Sequence, residues 1–346
     1  MTDLRSLLGI ELPIIQAPMA GYQGNALAIE VCNAGGLGSL PCAMLSLDQL
    51  RDALAAIKAQ TSKPFNVNFF CHVPPVPDAV REAAWRAALA PYYAEFGLDS
   101  SAATIGPKRA PFNHDVADVF DAIRPAVVSF HFGLPSAELL ARVRAWGAKI
   151  FSSATTVAEA IWLESRGVDV IIAQGSEAGG HRGMFLTQAV TTQMGTFALL
   201  PQIVNAVKTP VIAAGGIADT RGVAAALALG AAGVQIGTAY LLCPEAGTSA
   251  IHRAALKSEA AQHTALTNLF SGRPARGIVN RLMRELGPMS ESPPAFPLAT
   301  SAIAPLRAKA ESRGSGDFSP LWSGQNASGC REVPAAELTR MLAADL

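Results

Sequence analysis

Eight short apolar runs, each followed by a segment of different rhythm, constrain this chain more than any other feature of its sequence. The runs are Ile14–Met19, Leu37–Pro41, Phe65–Phe70, Val127–Phe132, Lys149–Ala154, Val168–Gln174, Pro210–Gly215 and Gly233–Gly237. Most are rich in Val, Ile or Phe and end in Gly, Pro or a polar residue, as buried parallel strands do. Between them, Asn25–Ala34, Leu47–Gln60, Ser136–Trp146, Thr156–Arg166, Thr196–Val207 and Asp219–Leu229 have helical spacing. Asp219 and Ser136 are suited to N-caps, and Gly147, Gly167 and Gly230 to C-terminal stops. Eight such alternations predict the α/β class and a closed (β/α)8 TIM barrel. An open, doubly wound sheet is the rival arrangement. Against it, the loop after the first strand reads Ala17-Pro18-Met19-Ala20-Gly21, not GxGxxG.

A barrel of this type takes about 250 residues, and the chain has 346. Two regions break the alternation. One, about 72–125, opens on Val73-Pro74-Pro75-Val76-Pro77 and continues with a helical stretch, Asp78–Glu95. The other begins near Cys243, after the eighth strand. It reads as helical over Ser249–Gln262, turns at Ser271-Gly272-Arg273-Pro274, then becomes helical again before a Pro-rich stretch. The expected layout is therefore a barrel over 1–242 with an insertion, a largely helical cap over 243–314, and a C-terminal segment, 315–346, that returns to the barrel mouth.

Lys+Arg and Asp+Glu balance at 27 each, so net charge gives no reason to expect a nucleic acid or an anionic membrane as partner. The five cysteines are dispersed without a CxxC pair, which argues against a disulfide framework or structural zinc and fits a reducing, cytoplasmic compartment. Neither a signal peptide nor a membrane-spanning run is expected from the sequence.

In a (β/α)8 barrel, chemistry sits where strands end. That selects Pro18, Met19 and Ala20 after the first strand. It also selects Asn66 and Asn68 on one face of the third, and His131-Phe132-Gly133 after the fourth. Strand six runs into Gln174-Gly175-Ser176-Glu177-Ala178-Gly179-Gly180-His181-Arg182-Gly183. Gly215-Gly216 and Gly237-Thr238 close strands seven and eight, the usual phosphate cradle of such barrels; they serve equally as tight turns. His181, flanked by glycines, is the first candidate for acid, base or hydrogen-bond donor, and His131 the second. Glu177 and Arg182 read as either an ion pair holding this loop or direct participants. No residue spacing describes a metal site, and no Gly-x-Ser-x-Gly elbow is present.

These segments resemble the class I nitronate monooxygenases along almost the whole chain. The resemblance rests on Gln16–Gly21, Asn66–Phe70, Ser129–Gly133, Gly175–Gly183, Ala213–Ile217, Phe270–Gly277 and Leu321–Gln325. The Glu-Ala-Gly-Gly-His element is shared with flavin-dependent enoyl-ACP reductases. Ser-Phe-His-Phe-Gly and Trp-Ser-Gly-Gln belong more narrowly to the monooxygenases. The resemblance implies a barrel that binds FMN and needs no reduced nicotinamide. The FMN contacts would be Pro18, Met19, Asn68, Gln174, Gly179, Gly180, Gly216, Gln235, Gly237 and Thr238, with Gly324 and Gln325 closing over it. His181 would be the active-site histidine, protonated or hydrogen-bonding, and His131 would line the substrate pocket. The implied reaction oxidises an anionic alkyl nitronate, such as propionate 3-nitronate, with dioxygen to an oxo acid or aldehyde and nitrite. Relatives often carry tyrosines near the substrate where this chain has Phe296 and Thr300. The alternatives are an NAD(P)H-dependent FMN reductase of the same superfamily and a flavin-free barrel for a phosphate ligand.

Overall fold

All eight apolar runs form strands, seven of them shorter than the run and one, Lys149–Ala154, identical to it. A computed structural model describes residues 3–99, 109–344 and 346. The strands are β1 (Ile14–Gln16), β2 (Ser39–Pro41), β3 (Asn66–Phe70), β4 (Val127–His131), β5 (Lys149–Ala154), β6 (Val170–Gln174), β7 (Val211–Ala214) and β8 (Gly233–Ile236). All pair in parallel, in the order β1-β8-β7-β6-β5-β4-β3-β2. A parallel bridge from Ile15 to Leu37 joins β2 back to β1 and closes the ring. Only a closed sheet removes both unpaired edges.

The strands are buried on both faces, so their sequences are continuous apolar runs. Inside the ring, Ile15, Leu37, Val127, Phe151, Val170, Ile172 and Ile212 pack with Leu4 and Leu8 of the first helix, Leu4–Leu8, which stoppers the bottom. Outside it, a larger cluster packs the strands against the surrounding helices. Asp219 and Ser136 accept the capping hydrogen bonds expected of them, and Gly147, Gly167 and Gly230 take positive φ at helix ends. The strand breaks are equally local. β7 stops where Gly215 and Gly216 turn to φ 121° and 74°, a region that favours glycine.

The two regions outside the alternation pack on each other. Helix Ala79–Phe96, capped by Asp78, lies against helix Ala299–Glu311. Trp85 Nε1 donates to Ala299 O at 3.1 Å and Tyr93 Oη to Ala302 O at 2.6 Å. Around them Leu89, Tyr92, Phe270, Leu282, Ile303, Leu306 and Phe318 form a second core. The region after β8 is less helical than its sequence suggests. Thr264–Thr267 (β9) and Ala275–Ile278 (β10) form an antiparallel pair, and the turn at Ser271–Pro274 joins two strands, not two helices. Gly180–His181 adds to β10 as a third strand, with Ala275 opposite His181 and Arg276 opposite Gly180. A strand that exists by pairing with a distant loop carries no local periodicity, which is why spacing alone misread it. No helix among the described residues is long and apolar enough to cross a membrane.

Candidate active site

The C-terminal ends of the strands open into one cavity with about 1340 Å³ of unfilled space, its mouth included. Its walls contain Pro18, Met19, Asn68, His131, Gln174, Gly179, Gly180, His181, Gly216, Gln235, Gly237, Thr238 and Gly324. Of the expected flavin contacts and the two histidines, only Gln325 is absent from the lining. Its backbone N–H donates to Glu177 O at 2.9 Å, and its neighbour Asn326 faces the cavity instead. Asn66 also stays away, lying deeper in the barrel with its amide donating to Ser39 Oγ.

The loop after β6 is held by its own polar groups. Gln174 clamps it from both sides, donating through Nε2 to His181 O at 3.0 Å and accepting from Gly183 N at 2.8 Å. Glu177 and Arg182 are not an ion pair with each other. The Glu177 carboxylate accepts from Thr196 N and Oγ1 at the start of helix Thr196–Ala206. Arg182 is fully buried and donates to Gly175 O (2.6 Å), Gln174 O (2.7 Å) and Gln193 Oε1 (2.8 Å). Both are structural supports of the loop.

His131 Nε2 lies 3.1 Å from His181 O, and a carbonyl can only accept. The Nε2 atom therefore carries the proton, and Nδ1 accepts from Ser153 Oγ at 3.0 Å. Burial brings the His131 pKa down to about 4, so this imidazole is neutral at pH 7. Burial, then the charge of Arg109, hold the His181 pKa well below its usual value. His181 is thus a neutral hydrogen-bonding group, not a cation, with Nε2 2.8 Å from Ser271 Oγ. Phe132, a non-glycine residue at φ 71°, is forced into the left-handed region beside it. Its ring packs with those of Phe70 and Phe296 against His181.

The segment Trp322–Asn326 returns to the mouth and is tied to three strand ends. Gly324 N donates to Thr238 Oγ1 at 2.9 Å, Asn326 Nδ2 to Gly216 O at 3.0 Å, and Gln325 N to Glu177 O. A Cβ on Gly179 would meet Gly324 N at 2.6 Å, so glycine there permits this closure.

Several lining residues escape sequence reasoning. Arg109 sits in the insertion outside any motif, and Ser153 and Tyr22 have no local signal. Among the described residues, no group of His, Cys, Asp and Glu could hold a metal ion.

The nitronate monooxygenase family model matches residues 2–345. The chain belongs to the nitronate monooxygenase family. It is 45% identical to the nitronate monooxygenase of Paraburkholderia phytofirmans, over 99% of this chain and 94% of that protein. It is 44% identical to that of Pseudomonas aeruginosa, over 100% and 99%. Among solved structures it superposes on the nitroalkane oxidase of Streptomyces ansochromogenes with a TM-score of 0.90 and 38% identity, covering 100% of this chain and 98% of that one. FabK from Thermotoga maritima is more distant, at a TM-score of 0.73 and 26% identity over 99% and 94%. The enzyme is thus an oxidoreductase acting on a small molecule with oxygen, and its family implies a flavin cofactor.

Gly216 offers a direct probe of the cavity floor. A Cβ there meets only the Glu177 side chain, at an ordinary 3.5 Å to Cβ and 3.6 Å to Cγ, so the cost of a larger residue is its φ of 74° plus the cavity space it takes. Gly216→Val is expected to leave a folded protein with less than half the wild-type flavin. Visible absorbance per polypeptide after gel filtration reads this out, and full occupancy would remove Gly216 from the flavin site.

Proposed function

We propose that the flavin is FMN and that the enzyme oxidises preformed alkyl nitronates with dioxygen, releasing nitrite and an oxo acid or aldehyde. The observation that carries the nitronate assignment is the composition of the cavity wall: among the described residues it has two imidazoles, one guanidinium and no carboxylate. Abstracting a proton from a neutral nitroalkane needs a base of suitable pKa. Imidazoles held neutral by burial, one near pKa 4 and the other well below its usual value, are weak bases but good hydrogen-bond partners. An anion that has already lost its proton asks only for binding and orientation, which such a wall provides.

The cavity also suits FMN. Buried Gln235 Oε1 lines it and has no hydrogen-bond partner, an acceptor suited to an isoalloxazine N–H or a ribityl hydroxyl. Gly215, Gly216, Gly237 and Thr238 bring backbone to the ends of β7 and β8, where a single phosphate would sit. Pro18, Met19, Asn68, Gln174, Gly179, Gly180 and Gly324 would flank the rest, with Gln325 contributing through its backbone tether. Bound there, FMN supplies the electron acceptor that makes a nitronate reactive toward dioxygen. The protein's part is to hold the nitronate oxygens through His181, to shape the apolar wall with Phe70, Phe132 and Phe296, and to keep water out beneath Trp322–Asn326.

Oxygen uptake with a panel of nitronates, measured with and without NADH, tests this reading. Uptake and nitrite release are expected with nitronate alone, with no acceleration by NADH. Rapid anaerobic bleaching by NADH or NADPH would instead indicate a nicotinamide-dependent reductase. Heat-released cofactor is expected to chromatograph as FMN; recovered FAD would overturn that assignment.

A further inference from the structure

The cavity holds one side-chain cation that the mechanism above does not use. We infer that Arg109 is the specificity-determining residue for a second anionic group, a carboxylate at the end of the substrate opposite its nitronate. The inference rests on the nitronate reading.

Arg109 lines the cavity and is the one Arg or Lys among its described lining residues. It is partly buried, and that burial lowers the pKa of its guanidinium. Burying a cation is costly without an anion to compensate it. No carboxylate of the described residues pairs with Arg109, and residues 100–108 contain no Asp or Glu. The groups it touches are neutral: Nη1 donates to Thr300 Oγ1 at 3.2 Å, and the guanidinium lies 5.7 Å from the centre of the Phe296 ring. Thr300 in turn donates to Phe270 O at 3.1 Å, so its hydroxyl oxygen is aimed at Arg109.

Position decides what this cation is for. His181 packs on the same Phe296 ring at 5.3 Å between centroids. The imidazole that would hold a nitronate and the guanidinium therefore lean on one phenyl group, and a chain of a few carbons can reach both. A planar guanidinium presents a fork of donors that matches a carboxylate. Phe296 is the ring that both lean on, and Thr300 supports Arg109.

The test compares propionate 3-nitronate with propyl 1-nitronate, which has the same carbon count and no carboxylate. In the wild-type enzyme kcat/KM is expected to favour propionate 3-nitronate at least tenfold. Arg109→Gln should lower that ratio about hundredfold, the scale for truncating one partner of a desolvated charge pair. Arg109→Lys should recover a large part of it. A role confined to holding the loop would lower both substrates together and leave the ratio unchanged, which would overturn the inference. Titration calorimetry with succinate, which carries an anionic group at each end, gives a readout free of turnover. Its dissociation constant should rise at least tenfold in Arg109→Gln; an unchanged constant would count against the subsite. Should Arg109→Gln not fold, a wild-type ratio near one would overturn the inference by itself. If the wild type oxidises neither nitronate, the functional reading fails, while succinate binding still judges Arg109.

Discussion

Replacing His181 with Asn is expected to lower kcat/KM for a preformed nitronate about a hundredfold while leaving the flavin bound. Loss of one positioned hydrogen-bonding group at a developing or bound oxyanion costs about 3 kcal/mol. The flavin should remain because the cavity floor consists of glycines and backbone from β7 and β8, which His181 does not touch. The His181 loop should also survive, since its backbone is held independently by Gln174, His131 and the pairing with Ala275. The pH dependence separates two roles. kcat/KM reports ionisations of the free enzyme, and the His181 pKa lies well below 6.5. With preformed nitronate the wild-type profile should therefore be flat from about pH 6 to 8 on the enzyme's side. If a protonated His181 were the active form, kcat/KM would instead fall as pH rises through its pKa. If His181 were a base acting on neutral nitroalkanes, the Asn variant would lose those substrates and keep the nitronates. Near-wild-type rates on both would remove His181 from the mechanism and leave His131 as the next candidate.

Arg182→Met is expected to be among the most destabilising single changes near the site. The side chain is fully buried, and its three hydrogen bonds go to two backbone carbonyls and one amide oxygen. Burial draws its pKa down to about 10, still far above neutrality, so the group stays charged. Methionine fills a similar volume but leaves those acceptors without donors, at about 1–3 kcal/mol each. A total of about 3 kcal/mol or more, at about 2 °C per kcal/mol for a chain of this size, lowers the thermal midpoint by roughly 5 °C or more. Flavin retention should fall with it, because Gln174, whose carbonyl Arg182 holds, lines the cavity. Differential scanning calorimetry on the purified holoenzyme checks the stability. A midpoint within a degree of wild type would show that water satisfies those carbonyls and that the arginine is dispensable.

The sequence by itself determined the barrel. Its eight strands are buried on both faces, so each had to be written as an apolar run, and parallel neighbours must be separated by a crossover long enough to read as a helix. The strand-end rule then located about half of the cavity wall, because backbone geometry places those residues together whatever their side chains. Gly215, Gly216 and Gly237 were legible for the same reason: a turn at a strand end is a local event. What Glu177 and Arg182 do was not legible. Both sit in the His181 loop, yet their partners are Thr196, at the start of the next α-helix, and the carbonyls of β6 and its loop. The strands β9 and β10 were hidden because they exist through pairing across the mouth with Gly180–His181. The neutrality of His181 also required the tertiary structure. Burial among Phe70, Phe132 and Phe296, together with the nearby cation of Arg109, sets its charge, and these groups come from four separate elements of the chain. Local pattern fixes where the backbone goes, since hydrogen bonding and periodicity act over a few residues. The charge and donor pattern of the cavity depend on desolvation and contact between distant segments, and only the packed chain decides those.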